Sequence, residues 1–375
     1  MLSLSTTIQK RRILSIDWFV FFFLIFIASF KYLEPFLYWL DNRNTYFMII
    51  VVFLTLIYSF LRKYHSRDFL LRIFLIIISC LFLVIGDLGI ALSICVGTFL
   101  SCSELKRSFK LICIVGLALL LIDILCSTIF DFNSTYNYYE EDGTYRYSLS
   151  FSHPNTAPTL FLSLISLGIL FIDNHKKIWF LIYLFYFLLI FSLTKSLTFL
   201  VSIALLIIST PFVFLFSKHK NTWFIFPLLF IVFTLFSFML GTIFDIQFFN
   251  DLLSGRPYYF SLYIHSGKVS WISGRLNIFP DSWVLDNYFL SLIYITGVPI
   301  YIFLCITQFY FFKKIRYLCD SKTFTKICFA YLLLMFASLT GDFLRLALNP
   351  ILVIFTSVFL YNYEIKRKKY VEKQK

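Results

Sequence analysis

The sequence predicts an all-α, polytopic membrane protein with about twelve transmembrane helices. Of its 375 residues, 60% are hydrophobic and only 14% are charged, and the mean hydropathy is +0.84. A water-soluble domain of this length does not reach such values. Apolar runs of roughly 20 residues, the length that crosses a bilayer, recur along the chain between short charged segments. We therefore expect one integral membrane domain over residues 1–375.

The predicted helices follow the apolar runs in chain order. The first run comes after Lys10, Arg11 and Arg12 and carries no small-residue cleavage site, so we expect a retained anchor and no cleaved signal. The third and fourth spans share one apolar run, which is interrupted only at residues 86–89 and is compatible with one helix or with two. The predicted spans are residues 14–32, 45–61, 69–85, 88–101, 109–130, 156–172, 178–194, 197–216, 222–243, 287–310, 327–341 and 346–363.

The formal net charge of +13 is best explained by membrane topology. With the N-terminus inside, 25 of the 33 lysine and arginine residues fall on the cytoplasmic side, as the positive-inside rule requires, and both termini are cytoplasmic. Because the charge is distributed in this way, we expect no nucleic acid partner. The abundance of Phe, Ile, Tyr, Lys and Asn is typical of AT-rich codons and indicates the cytoplasmic membrane of a low-GC Gram-positive bacterium.

The cysteine and histidine pattern predicts neither disulfides nor a bound metal. Most of the eight cysteines fall within apolar segments, where we expect free thiols that serve as small packing residues. No Cys/His spacing matches a zinc site. We expect no cofactor.

Two long connections fall on the outer side, residues 131–157 and residues 245–286, and we expect short helices within the second. The first ends in Phe151-Ser152-His153-Pro154-Asn155-Thr156, where the sixth span begins. Proline in the first turn is ordinary chemistry for the start of a helix, so a structural role for His153 is as compatible as a catalytic one. An imidazole at this position can also orient a hydroxyl or a phosphate.

The second loop carries the triplet Ser254-Gly255-Arg256 and again Ser273-Gly274-Arg275. An arginine fork can bind two phosphate oxygens at once, and Gly255 allows the ligand to approach the backbone closely. Two such arginines in one loop favour a diphosphate ligand. An Arg256 that only contacts lipid headgroups is an equally compatible interpretation.

Asp286 and Asn287 close the second loop at the start of the tenth span, where helix capping accounts for them without a function. A carboxylate there can also act as a general base, and so can Asp281 or the Glu140-Glu141-Asp142 cluster. The sequence does not choose among these three.

Ionisable groups within or beside the spans are energetically costly and indicate function or pairing. Lys195, in Leu193-Thr194-Lys195-Ser196, has no obvious local partner and is the best functional candidate among them. Asp342 and Arg345 are one turn apart and can form a structural ion pair. Asp123 can form a hydrogen bond between helices.

Taken in order, these motifs resemble those of the Wzy-type polysaccharide polymerases, relatives of the O-antigen ligases in the glycosyltransferase C superfamily. The resemblance spans most of the chain. One position departs from the family pattern, because Leu197 stands where members often have an arginine in Ser-Arg-Thr. The motifs that carry the resemblance are Phe151-Ser152-His153-Pro154-Asn155-Thr156, Leu193-Thr194-Lys195-Ser196, Leu253-Ser254-Gly255-Arg256 and Asp286-Asn287-Tyr288.

The resemblance implies a glycosyltransferase C-like fold and a membrane enzyme that polymerises undecaprenyl-diphosphate-linked oligosaccharide repeat units into surface polysaccharide on the outer face. A chain-length regulator and a flippase are partners that such a pathway implies. The catalytic residues it implies are His153, Arg256 and Asp286, and the substrate-binding residues are Asn155, Lys195, Ser254, Gly255, Arg275 and Asn287.

Two alternatives remain compatible with the sequence. An O-antigen-ligase-like transferase would use the same donor with a different acceptor, and His265 in the long loop keeps this open. A flippase or transporter of lipid-linked oligosaccharides would ordinarily show repeated halves or charges along a central pathway, and neither is visible here.

Overall fold

The computed structural model describes residues 49–57, 66–85, 88–101, 105–130, 136–139, 144–149, 151, 155–171, 176–252, 256–266, 287–339 and 352–360. The described residues are predominantly helical, which confirms the all-α class. Five helices are long and apolar enough to cross a membrane, and their apolar stretches are Ser108–Ile129, Lys177–Thr194, Phe199–Lys218, Lys220–Thr242 and Val298–Leu318. The first predicted span lies outside the described residues.

The elements are named here in chain order. The helices are α1 (49–57), α2 (Ser66–Ile85), α3 (Leu88–Leu100), α4 (Leu105–Ile129), α5 (Thr156–Phe171), α6 (Lys176–Thr194), α7 (Leu197–Lys218), α8 (Ile225–Thr242), α9 (Gln247–Leu252), α10 (Arg256–His265), α11 (Tyr288–Ser291), α12 (Val298–Leu318), α13 (Ser321–Ser338) and α14 (352–360). A short antiparallel hairpin, β1 (Tyr136–Tyr139) with β2 (Thr144–Tyr147), stands between α4 and α5.

The apolar run that is compatible with one helix or two forms an antiparallel pair, α2 and α3. The Ser79 hydroxyl donates to the Ala91 carbonyl at 2.6 Å, and the Arg72 guanidinium donates to the Thr98 carbonyl at 3.0 Å. Ser79 comes after Arg72 in α2, whereas its partner Ala91 comes before Thr98 in α3, so the two helices run in opposite directions. The buried Arg72 also supplies a cation to the carboxyl end of α3, where the helix dipole favours one.

Helix α13 lies at the centre of the bundle and packs against α5 and α7. Tyr331 of α13 is buried and donates its hydroxyl to the Gln308 side chain of α12 at 2.6 Å. The ring of Phe312 lies edge-on to Tyr331, with centroids 4.9 Å apart. This polar contact is therefore flanked by an aromatic ring, and it joins α12 to α13.

One end of the bundle, which we call the Arg316 end, is held by two polar contacts. Arg316 donates to the Lys218 carbonyl at 3.0 Å, and the Ser217 and Thr325 hydroxyls are 2.8 Å apart. These contacts join the last turn of α7, the last turn of α12 and the first turns of α13. Arg316 also lies over the Phe324 ring at 5.0 Å, so its cation is used within the fold.

The opposite end, which we call the Asn287 end, is organised by one buried amide. Asn287 accepts a hydrogen bond from the Leu290 backbone N–H at 2.9 Å, which caps α11. Its amide nitrogen donates to the Ser237 hydroxyl and to the Leu339 carbonyl, both at 2.9 Å. A single side chain thus joins the end of α8, the start of α11 and the end of α13.

The tenth predicted span is interrupted. After α11 the chain makes a π-helical turn over Leu292–Thr296, and the Gly297 N–H bonds back to the Leu292 carbonyl at 2.9 Å. Gly297 has φ 110° and ψ 148°, a conformation that residues with a Cβ rarely adopt, and α12 starts at the next residue. The continuous apolar run concealed this break because glycine and proline are common in membrane helices.

Replacing Asn287 by alanine should destabilise the fold. The substitution leaves the Leu339 carbonyl and the Leu290 N–H without this partner in an apolar environment, at a cost of roughly 2–4 kcal/mol. Thermal unfolding of the purified protein in detergent measures the loss as a lower Tm. Asn221→Ala, which removes an exposed asparagine, is the control and should leave the Tm unchanged. Equal Tm values for the two variants would contradict the bridging role of Asn287.

Candidate functional site

Two of the motifs singled out in the sequence meet at the Asn287 end. The Asn155 carbonyl accepts hydrogen bonds from the Thr159 N–H at 3.1 Å and from the Thr159 hydroxyl at 2.6 Å, so Asn155 stands at the start of α5. The Ser196 hydroxyl donates to the Asn155 side-chain oxygen at 2.8 Å. This contact joins the start of α5 to the start of α7, 41 residues apart in sequence.

Lys195 forms the turn between α6 and α7. Its N–H bonds to the Phe191 carbonyl at 2.8 Å, which extends the hydrogen bonding of α6, and its φ of 46° is left-handed. This conformation lets the chain reverse within two residues and leaves the lysine side chain exposed. Leu197, where the resembled family has arginine, is 52% exposed at the first position of α7. The two positions therefore share one accessible junction.

The hairpin packs against α4 and α6. The Tyr147 hydroxyl donates to the Ser127 carbonyl near the end of α4 at 2.6 Å, and β2 also contacts α6. Tyr136 pairs with Tyr147 in the ladder. Residues 131–157 were predicted only as a loop, although Asp142-Gly143 between tyrosine-rich runs is a recognised hairpin signal.

Arg256 is the first residue of α10 and is half-buried. The start of this helix is fixed by Asn250 of α9, whose side-chain oxygen accepts from the Tyr258 N–H at 2.8 Å. Asn250 is itself oriented by donating to the Asp245 carboxylate at 2.9 Å. The arginine therefore sits on a braced turn, at the helix end where the dipole favours an anion.

Helix α10 lies directly against α8, and Gly241 makes this close packing possible. A Cβ at position 241 would be 2.8 Å from the Phe260 Cβ and 2.7 Å from the Ile264 Cδ1, distances that real Cβ atoms essentially never show. A small apolar cluster holds the same contact and consists of Leu240, Phe260, Tyr263, Leu290, Ile293 and Tyr294. Sequence reasoning selected none of these residues, although a lone glycine in an apolar helix signals close helix packing.

The remaining predicted residues are placed as follows. Asn287 is buried, with its amide engaged by Ser237, Leu339 and Leu290. Asp123 is fully buried in α4, and His265 is exposed at the end of α10 with Nδ1 2.9 Å from the Ser261 carbonyl. The residues that lie outside the described part of the chain are Glu140, Glu141, Asp142, His153, Ser254, Gly255, Arg275, Asp281, Asp286, Asp342 and Arg345.

The basic residues Arg146, Lys195 and Arg256 lie on β2, on the turn between α6 and α7, and at the start of α10, respectively. Within the same residues no group of three or more His, Cys, Asp or Glu side chains could hold a metal ion. The described cysteines are free thiols, as expected. These elements therefore carry guanidinium and ammonium groups, which suit phosphate oxygens, together with the Asp245 carboxylate near the start of α10.

Comparison of the chain with family models, with curated proteins and with solved structures gives no match. The resemblance to Wzy-type polymerases accordingly depends on short motifs and on where the described ones lie. Asn155, Lys195 and Ser196 come together, and Arg256 belongs to the same end of the bundle.

Gly241→Leu should release α10 from α8, because the added side chain overlaps Phe260 and Ile264. Hydrogen–deuterium exchange of a peptide covering residues 256–266 measures this directly, and we expect roughly tenfold faster exchange. Thr242→Leu adds the same side chain at the next position, which is exposed, and serves as the matched control. Identical exchange in both variants would show that Gly241 does not hold the arginine-bearing helix.

Proposed function

We propose that this chain is a membrane glycosyltransferase that polymerises oligosaccharide repeat units carried on undecaprenyl diphosphate. The observation that carries the proposal is the hydrogen bond between Ser196 and Asn155. It joins two of the four motifs behind the resemblance, although they lie on different connections. Arg256, from the third motif, belongs to the same end of the bundle, as does Asn287 from the fourth.

In the proposed reaction the growing glycan is the donor. The bond between its first sugar carbon and the diphosphate oxygen breaks, and a new bond forms from that carbon to a hydroxyl oxygen of the next lipid-linked unit. Undecaprenyl diphosphate leaves with the bonding electron pair, and the hydroxyl proton passes to a general base. The negative charge that grows on the leaving diphosphate is the charge that an enzyme must stabilise.

Arg256 is the residue we assign to that charge, with Lys195 as its helper and Arg275 as a further candidate. The braced first turn of α10 supports this assignment, since Asn250 fixes the Tyr258 N–H and thereby the helix start. A guanidinium held in place loses less entropy on binding than one on a mobile loop. Ser254 and Gly255 would let the diphosphate approach the backbone, and Asp286 is our candidate for the base.

The proposal assigns Asn155 and His153 to shaping the donor site. It assigns Asn287 to supporting the helices beneath that site. Asn155 is already oriented by Ser196, so its amide has a defined direction. Asn287 acts through the fold in this scheme, since its amide joins α8, α11 and α13 beneath the site.

In this scheme the Asn287 end faces the outside and the Arg316 end faces the cytoplasm. The exposed lysines at the Arg316 end, among them Lys218, Lys220, Lys313 and Lys314, support the orientation through the positive-inside rule. A flippase would then have to supply the lipid-linked unit to the outer leaflet, and a chain-length regulator would act on the product.

Arg256→Ala should abolish long polymer while leaving the protein level unchanged, because the leaving diphosphate loses its main cation; we expect at least roughly a 100-fold lower rate. Polymer length is measured by gel electrophoresis of surface glycan from cells that carry only the variant. Lys218→Ala removes an exposed charge from the opposite end and should give normal polymer. Normal chain length in Arg256→Ala would contradict the assignment.

The location of the product separates polymerisation from the alternatives. A polymerase yields a ladder of chains that are still attached to the lipid carrier, whereas a ligase-like transferase yields chains on a different acceptor. A flippase changes no covalent bond at all.

Lys195→Ala should reduce polymerisation, and Leu197→Arg in the same chain should restore it. The reason is that Leu197 is exposed at the junction that Lys195 occupies, so an arginine there can supply the missing cation. Rates of chain growth in membranes that contain equal protein measure the effect. Lys195→Ala with Leu197→Gln is the matched control, since it adds polarity without charge. Equal rates for the two double variants would contradict a cationic role for this junction.

A further inference from the structure

Two tyrosine rings lie on the surface of α10 in the same turns as Arg256. Tyr258 is 51% exposed and Tyr259 is 38% exposed, whereas the following Phe260 is buried against α8. Tyr263, one turn further along, is also buried, in the cluster that holds the helix. The helix therefore packs through Phe260 and Tyr263 and leaves the rings of Tyr258 and Tyr259 exposed.

The exposed rings form a corner. Their centroids are 5.7 Å apart and their planes are inclined at 65°. A sugar ring carries C–H bonds with a partial positive charge on its faces and hydroxyls around its edge. The negative face of one tyrosine ring can accept the C–H face, while the phenol group of the other can bond to a hydroxyl.

The position of the corner relative to Arg256 decides which sugar it would meet. Residues three apart on a helix lie on the same side, about 5–6 Å apart at Cβ, so Tyr259 is a neighbour of Arg256. In a lipid-linked oligosaccharide the first sugar is bonded directly to the diphosphate. A diphosphate bound by Arg256 would bring that sugar to the tyrosine rings.

Tyrosines also gather at membrane interfaces, where they anchor helices in the headgroup layer. Helix α10 also has contacts to the rest of the protein that do not involve these two rings. It is fixed by the Asn250 contact at its start and by the Gly241 contact along its length. The two exposed rings take no part in these contacts, so they are available to a ligand.

We infer that Tyr258 and Tyr259 form the subsite for the sugar bonded to the lipid diphosphate. The inference rests on the proposed function, because it takes the diphosphate at Arg256 as given. The ligand class is a pyranose bonded through its first carbon to a polyprenyl diphosphate. The tyrosines contribute to recognition of this sugar, and Arg256 contributes to recognition of the diphosphate.

Binding of two probes to the full chain in nanodiscs tests the assignment. The first probe is undecaprenyl diphosphate, and the second is undecaprenyl diphosphate that bears one sugar, with glucose, galactose, N-acetylglucosamine and N-acetylgalactosamine tried in turn. The unaltered chain should bind at least one sugar-bearing lipid about tenfold more tightly than the bare lipid. The double variant Tyr258→Leu with Tyr259→Leu should lose this difference and bind the bare lipid as before.

Two further variants distinguish failure of the sugar subsite from failure of the proposed function. Tyr317→Leu removes a tyrosine that is 56% exposed at the opposite end and should retain the preference for the sugar-bearing lipid. Arg256→Ala should weaken binding of both probes. If the tyrosine variant weakens both probes equally, or if the unaltered chain shows no preference for any sugar, the subsite is wrong. If Arg256→Ala leaves binding of the bare lipid unchanged, the proposed function itself fails.

Discussion

The buried amide of Asn287 is the contact on which the arrangement of the candidate site depends. It lies in apolar surroundings, where an amide without hydrogen bonds costs roughly 2–7 kcal/mol. It forms one hydrogen bond each to α8, to α11 and to the end of α13. Because the cost of breaking any of them is high, the ends of these helices are fixed relative to one another.

Arg256 inherits its position from this arrangement. The end of α8 that bonds to Asn287 through Ser237 also carries Gly241, one turn further along. Gly241 admits α10, and the cluster around Tyr263 includes Leu290 and Ile293 from the segment that Asn287 caps. The arginine is thus linked to the bundle through two successive packing steps.

The second half of the site is connected through α13. This helix packs against α5 and α7, whose starts are joined by Asn155 and Ser196. Its last turn leads to the Leu339 carbonyl, which accepts from Asn287. The elements that carry Asn155 and Ser196 and the elements joined by Asn287 are therefore both in contact with α13 or its end.

Much of the helical plan could be read from the sequence, because the length of an apolar run is a strong constraint. The predicted span 156–172 corresponds to α5, Thr156–Phe171, and the predicted span 178–194 to α6, Lys176–Thr194. Helix α13 begins at Ser321, six residues before the predicted 327, because Asp320 caps it by accepting from the Thr323 hydroxyl and N–H. A prediction based on the apolar run places the start of the helix too late when the first turn is polar and capped.

The tertiary contacts of the candidate site could not be predicted from the sequence, for a different reason. Capping by Asn287 is local and was anticipated, whereas its partners Ser237 and Leu339 lie 50 and 52 residues away. The bond between Asn155 and Ser196 likewise spans 41 residues. Periodicity and motif order do not encode such distances. The left-handed turn at Lys195 was not predicted because lysine rarely adopts this conformation.

The central claim, transfer of glycan from a lipid diphosphate, is tested most directly by the stoichiometry of product release. The purified full chain in nanodiscs is supplied with lipid-linked repeat units, and undecaprenyl diphosphate and new glycosidic bonds are counted together over time. We predict one undecaprenyl diphosphate released for each bond formed. Movement of the lipid-linked unit across the bilayer with no release, or bond formation without release, would contradict the account.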